Sequence, residues 1–259
     1  MDNIKNVNTV KSITKAFAII EALDEAGPLS IGELSKILIM DKATVHRLIN
    51  TIKDIGYITQ NLETKKYSNS IKLFEIGQNV ISKIGLFEAA RPYIELLSSE
   101  TGESINLGIV RDNKIVYVDK KEGISPIKVS IKVGTSIPMH CTGMGKAVLS
   151  HMSETERENI INQIDFIQYA KNTSLNKETL LRRLDKSRKL GYSFDNEEYV
   201  DDLISFGAPI FNYKGDPIGA ISISFPKSRY DEADHSVSYP KLIKDAAANI
   251  SKQMGYIVL

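Results

Sequence analysis

Apolar positions in the first sixty residues recur three and four apart, the spacing of a helix face. In SITKAFAIIEALDEAG the series Ile13, Phe17, Ile20 and Leu23 predicts a first amphipathic helix, stopped by Gly27-Pro28. LSIGELSKIL places Ser30 three residues before Glu33, a capping box that starts a second, short helix with Ile31, Leu34 and Leu38 on its buried face. A third helix follows in MDKATVHRLINTIKDIGY, with Asp41 as N-cap, Val45, Leu48, Ile52 and Ile55 as its stripe and Gly56 as its stop. The period then shortens. YITQNLETKKYSNS reads as two strands around a polar turn, with Lys65 and Lys66 at its tip or exit.

Beyond the hairpin, Leu73, Ile76, Val80, Ile81 and Ile84 again keep helical spacing, and a further helix, interrupted near Gly85 and Pro92, follows. An apolar stripe outside a compact small domain must be covered, either by a second subunit or by the protein's own second domain. From Ser104 the pattern turns to strands. SINLGIV and KIVYVDK flank Asp112-Asn113, IKVSIKVG alternates, and FGAPIFNY and PIGAISISF flank Lys214-Gly215-Asp216. Helices are predicted at GMGKAVLSHM, at SETERENIINQI with Ser153 and Glu156 as its capping box, at KETLLRRLDKSRKLG and at YPKLIKDAAANISKQM. The expected architecture is α+β: residues 1–70 form one domain, 71–84 a linker helix, and 85–259 a largely antiparallel sheet with helices beside it.

Composition narrows the class. The 259 residues are 42% hydrophobic and 25% charged, with no run near the roughly 18 to 20 apolar residues that span a bilayer. MDNIKNVNTVKS lacks the apolar centre of a signal peptide, so a cytoplasmic protein without a membrane partner is expected. A single cysteine, Cys141, excludes an intrachain disulfide and a cysteine-rich zinc site. Net charge is +1, but residues 36 to 72 hold seven basic against three acidic side chains. At about 100° per residue, the third helix turns Ala43, Arg47, Asn50 and Asp54 away from its stripe, with Lys42, Thr44 and His46 on the flanks. Major-groove reading needs this chemistry: a cation for guanine or phosphate, an amide for adenine, and small neighbours that allow close approach. With the hairpin as a wing for backbone contacts, the order of elements predicts a winged helix-turn-helix.

PMHCTGMGKAVL has two glycines and a lysine at a helix start, half of a phosphate-binding loop. A Walker A loop needs glycine at 140 and Ser or Thr at 147, where this chain has His140 and Ala147. What survives is a helix start with unpaired N–H groups suited to a carboxylate or single phosphate, or glycines that let the helix pack closely on a sheet. His140 and Cys141 are adjacent, and on a strand would point to opposite faces, a poor nucleophile and base pair. No histidine and carboxylate spacing suggests a metal, and the acids of DNEE serve as a solvated turn or as hydrogen-bonding anchors. No cofactor is expected. An enzyme acting on a small carboxylate or phosphate in the second domain stands as the alternative to a sensor.

LSIGELSKILIMDKATVHRLINTIKDIGYI, above all its KATVHRLI run, resembles the N-terminal signature of the IclR-type transcriptional regulators. The likeness continues, in the family's order, through TGESINLGIV, IPMHCTGMGKAVL, GYSFDNEE, GAPIF and AISISFP, nearly the whole chain. The resemblance implies a ligand-responsive repressor bound to double-stranded operator DNA as a homodimer or dimer of dimers. It also implies a GAF-like effector-binding and oligomerisation domain for a small organic acid. The DNA-contacting set is then Lys42, Ala43, Thr44, His46, Arg47, Asn50, Lys65 and Lys66. At the effector site the resemblance implies backbone contacts from Gly143 and Met144, polar contacts from Asp195, Ser222 and Ser224, and apolar walls from Val129 and Ile137. Ser222 and Ser224, one residue apart on a strand, face the same side. Ser205 stands where the family usually has cysteine and Asp202 where glycine is common, so a different effector preference is expected. IKLFEIG, SISFP and ISKQMGY are similar to the KdgR branch, regulators of pectin and 2-keto-3-deoxygluconate catabolism, which implies that sugar acid as effector.

Overall fold

The computed structural model describes residues 10–83, 85–124, 131–230 and 238–257. Its chain divides into two compact units, residues 1–83 and 84–259. No helix among the described residues is long and apolar enough to cross a membrane.

The first unit runs α1 (Lys11–Ala26), α2 (Ile31–Ile37), α3 (Lys42–Asp54), β1 (Ile58–Gln60), β2 (Tyr67–Asn69) and α4 (Ile71–Lys83). Local chemistry sets the helix starts. Ser30 Oγ accepts from Glu33 N–H while Glu33 Oε2 accepts from Ser30 N–H, and Asp41 Oδ1 accepts from Thr44 N–H at 2.8 Å. β1 and β2 pair antiparallel, and Leu29 bridges to Tyr67 to widen the wing. The core is Ile19, Leu23, Leu34, Val45, Ile49, Ile52, Ile58 and Tyr67. Two predicted stripes therefore need correction. On α1, Ile13 and Phe17 are 56% and 59% exposed, and the buried face is Ile19, Ala22 and Leu23, roughly 150° around the helix from them. On α3, Ile49 takes the place of Ile55, which caps the helix end and is exposed. Periodicity marks an apolar face, but α1 has two, and the approach of α2 and α3 selects which one packs.

The second unit runs α5 (Leu86–Thr101), β3 (Ser104–Arg111), β4 (Lys114–Lys121), β5 (Ser136–Pro138), α6 (Gly143–Leu149), α7 (Glu154–Ile161), α8 (Lys177–Leu190), β6 (Ser193–Asn196), β7 (Leu203–Phe211), β8 (Pro217–Pro226) and α9 (Tyr239–Gln253). Among the described residues six antiparallel strands form one sheet in the order β5-β4-β3-β8-β7-β6. One face, with Ile105, Leu107, Phe206, Ile221, Ile223 and Phe225, packs on α5 and α9. The other carries α6, α7 and α8, whose Met144, Val148, Ile161, Leu180 and Leu184 meet Ile115, Tyr117 and Ile137. Asp112 and Asn113 both have φ near +50 to +59°, as a two-residue hairpin turn demands.

Three expectations change here. Pro92 does not interrupt its helix: it lies on the exposed side, where Glu88 is also exposed and water can take the bond the proline cannot make. In IKVSIKVG, residues 127–130 lie outside the described residues, and 131–134 form a coil and turn rather than a strand, although Gly134 N–H donates to Tyr117 O. Finally, Ser193–Asn196 is a strand that the sequence pattern does not announce, because it has four residues and lies at the sheet edge.

Candidate functional site

In the first unit, the outward face of α3 carries Lys42, Ala43, His46 and Arg47 exposed, with Thr44 and Asn50 half-buried. His46 and Asn50 are neighbours one turn apart, their nitrogens 3.5 Å from each other. Among the described residues Arg47 has no ion-pair partner, so its guanidinium is available for a ligand. At the wing, Lys65 is exposed with φ +58°, whereas Lys66 turns back to Glu33 at 3.2 Å. Of the two predicted wing cations, Lys65 is thus the uncommitted one.

In the second unit, strand register assembles a polar patch. Cross-strand partners lie on the same face. One rung joins Asn106, Ser222, Gly207 and Ser193 across β3, β8, β7 and β6; the next joins Ser104, Ser224, Ser205 and Asp195. Both rungs face α6. A Cβ on Gly143 would lie 2.5 Å from Ser205 Oγ, and one on Gly207 would lie 2.5 Å from the Gly143 carbonyl carbon, so α6 meets the sheet through two glycines. Ser193 Oγ donates to Gly143 O. The Asn106 amide nitrogen donates to Ser222 Oγ at 3.2 Å and to Ser224 Oγ at 3.1 Å.

PMHCTGMGKAVL is seated by the same contacts. α6 has only seven residues, and Thr142 Oγ1 caps it by accepting from Gly145 N–H at 3.2 Å. Gly145 is structural, since a Cβ there would lie 2.3 Å from the Met139 backbone. The N–H groups of Gly143 and Met144 have no acceptor among the described residues. Lys146 points elsewhere: its Nζ donates to Phe194 O at 2.6 Å and pairs with buried Glu198, which also pairs with Arg183. The DNEE acids are not a solvated turn. Glu197 and Glu198 are buried anchors, Glu197 being held by Lys171 and Lys227.

Burial pushes the Asp195 carboxyl up to about 7, against the opposing pull of Lys146. Its Oδ1 accepts from Glu198 N–H at 2.9 Å, and Ser205 Oγ lies 3.5 Å from Oδ2. Burial also raises the Cys141 thiol far above its ordinary value and lowers the His140 imidazole. A thiol held protonated beside an unprotonated, buried imidazole is not a nucleophile pair. Two open grooves lie apart from the serines: one of about 650 Å³ beside His151, Phe211, Lys244 and Tyr256, the other of about 300 Å³ beside His140 and Tyr169.

Residues 12–62 match the family model of the IclR helix-turn-helix domain, and residues 78–252 match that of the bacterial transcriptional regulator IclR C-terminal domain. The chain belongs to the IclR family. It is similar to the HTH-type transcriptional regulator KdgR of Dickeya chrysanthemi, 36% identical over 252 residues, 97% of this chain and 82% of that protein. KdgR of Escherichia coli K12 is 34% identical, over 97% and 95% of the two chains. The crystal structure of Thermotoga maritima IclR superposes with a TM-score of 0.79 at 27% identity, covering 96% of this chain and all of that one. The protein is accordingly a transcriptional regulator and not an enzyme.

Within this IclR-family chain, tertiary structure brings Gly143, Met144, Asp195, Ser205, Ser222 and Ser224 to one patch, with Ile137 buried beside Met144 in the adjoining apolar cluster. Val129 lies outside the described residues. Asp202, standing where IclR-type sequences commonly have glycine, adopts φ +59°, the left-handed region that glycine favours. Sequence reasoning missed Asn106. Its signal was available: a lone amide between Ile105 and Leu107 on a buried strand sits on the face opposite to both.

Proposed function

We propose that this protein is a ligand-responsive, DNA-binding repressor acting in the cytoplasm. The first unit binds double-stranded operator DNA through α3 and the wing, with Lys42, Ala43, Thr44, His46, Arg47 and Asn50 at the groove and Lys65 and Lys66 at the backbone. The second unit binds a small organic acid at Gly143, Met144, Asp195, Ser205, Ser222 and Ser224. One observation carries the effector reading. Unspent donors, the N–H groups of Gly143 and Met144 and the hydroxyls of Ser222 and Ser224, occupy one patch, buried except at half-buried Ser224, with no activated nucleophile among the described residues, and donors of that kind call for an acceptor-rich ligand.

The likeness to two KdgR proteins at 34–36% identity supports a sugar acid, 2-keto-3-deoxygluconate, as that ligand. A homodimer, or a dimer of dimers, is the proposed assembly, supported by exposed Ile13 and Phe17 on α1 and by exposed Ile71 and Phe74 on α4. Ligand relieves repression by binding more tightly to the arrangement that holds DNA less well, with α4 as the connection. The test is a thermal-shift screen of the full chain against 2-keto acids and sugar acids, followed by titration of a DNA-bound sample. A shift and DNA release that both vanish in Ser222→Ala/Ser224→Ala, with operator binding retained, support the reading. An unchanged response in that variant refutes the pocket.

A further inference from the structure

We infer that Asn106 is a positioning residue that biases the Ser222 and Ser224 hydroxyls toward donating to the effector, and thereby sets the site's preference for a carboxylate over a neutral ligand. The inference rests on the effector reading above and adds to it the residue that determines specificity.

Asn106 is buried on β3 in register with Ser222, and its Nδ2 donates to both serine oxygens, at 3.2 and 3.1 Å. An amide nitrogen has two hydrogens, and here each is spent on one serine. A hydroxyl that accepts such a bond retains its own proton, and among the described residues neither Ser222 nor Ser224 has an acceptor for it. Nor, among the described residues, does the patch contain an available cation. Lys146 is engaged by Phe194 O and Glu198, and Arg183 by Glu198 and Asn172 O. Among these described residues an anion is therefore met by neutral donors. A free hydroxyl rotates and can offer either its proton or a lone pair, so it cannot by itself separate a carboxylate from an amide. Asn106 narrows that freedom by occupying one of the two lone pairs on each serine, which leaves the proton and a single lone pair to face the ligand and favours presentation of the proton. An acceptor at the same place would reverse the arrangement, drawing the hydroxyl protons inward and leaving lone pairs toward the ligand.

Isothermal titration calorimetry on the full chain tests this with 2-keto-3-deoxygluconate and its primary amide, which differ only at the carboxylate. Wild type should prefer the acid. Asn106→Leu should weaken acid binding about tenfold, leave the amide within a few-fold, and add no further loss in the Ser222→Ala/Ser224→Ala background, because it acts through those hydroxyls. Asn106→Asp keeps the shape of the side chain and guards against a packing defect in the leucine variant; it should reverse the order, so that the amide binds better than the acid. Equal additional losses from Asn106→Leu in both backgrounds, or an Asn106→Asp protein that still prefers the acid, overturn the inference while leaving the effector site standing. A wild type that binds neither compound overturns the sugar-acid reading and this inference together.

Discussion

Lys146 and Glu198 form an ion pair withdrawn from solvent, with side chains 1% and 4% exposed. The pair fastens α6 to the segment after β6, and Arg183 extends the connection to α8. The lysine beside the glycines is therefore a fastening for the site rather than a group that reaches its ligand.

Removing the cation strands the carboxylate. Lys146→Met should cost about 3 kcal/mol of folding stability, measured by urea denaturation, since Arg183 is one-third exposed and replaces it only in part. A loss below about 1 kcal/mol would show that the pair contributes little beyond its own desolvation.

Asp195 makes stability depend on pH. Its folded value is raised from 3.8 to about 7, chiefly by burial. Between these values the native state keeps a proton that the unfolded chain has released, so the contribution is complete below about pH 4 and is lost as pH rises through about 7. Asp195→Asn cannot ionise. Relative to wild type it should gain stability from pH 4 to 8 by on the order of 4 kcal/mol, and parallel denaturation curves at the two pH values would contradict the shift. Carboxylate affinity should fall over the same rise in wild type, as the carboxyl loses the proton it can donate.

Gly207 permits the close approach of α6. A methyl there would lie 2.5 Å from the Gly143 carbonyl carbon and 2.8 Å from Met144 N, both rigid backbone atoms. Gly207→Ala should destabilise by about 1–3 kcal/mol and abolish the effector response while leaving operator binding intact, as read by calorimetry and mobility shift.

At the proposed DNA face, Arg47 and Lys66 should behave differently. Arg47→Ala is expected to cost about 1–3 kcal/mol of specific operator affinity with effector binding unchanged. Lys66→Ala should cost less, because its Nζ is already held by Glu33. Operator affinity that survives Arg47→Ala displaces the recognition helix from its proposed role.

Phe17 tests the assembly. It is 59% exposed and contributes little to the core of its own unit, so Phe17→Glu should leave the melting temperature of the isolated fold nearly unchanged while shifting sedimentation toward monomer. An unaltered sedimentation profile places the dimer contact elsewhere.

What was legible in the sequence was local. The Ser30–Glu33 box, the Asp41 cap and the Asp112-Asn113 turn each involve groups no more than three residues apart, so short-range geometry is enough to specify them. The outward face of α3 was legible for the same reason, since helical period alone turns Arg47 away from Val45 and Ile49. Motif order carried the proposed effector-site residues as a family resemblance, without showing that they meet.

Only the tertiary structure decided that they do. Asn106 and Ser222 are 116 residues apart in the chain, and nothing but strand register sets them side by side on one face. Long-range packing also chose Ile19 over Ile13 as the buried side of α1, kept Pro92 within a helix, and committed Lys146 to Glu198. Hydrophobic period tells which residues share a face; which face meets a neighbour, and which buried charge finds its partner, depends on elements that the local sequence does not contain.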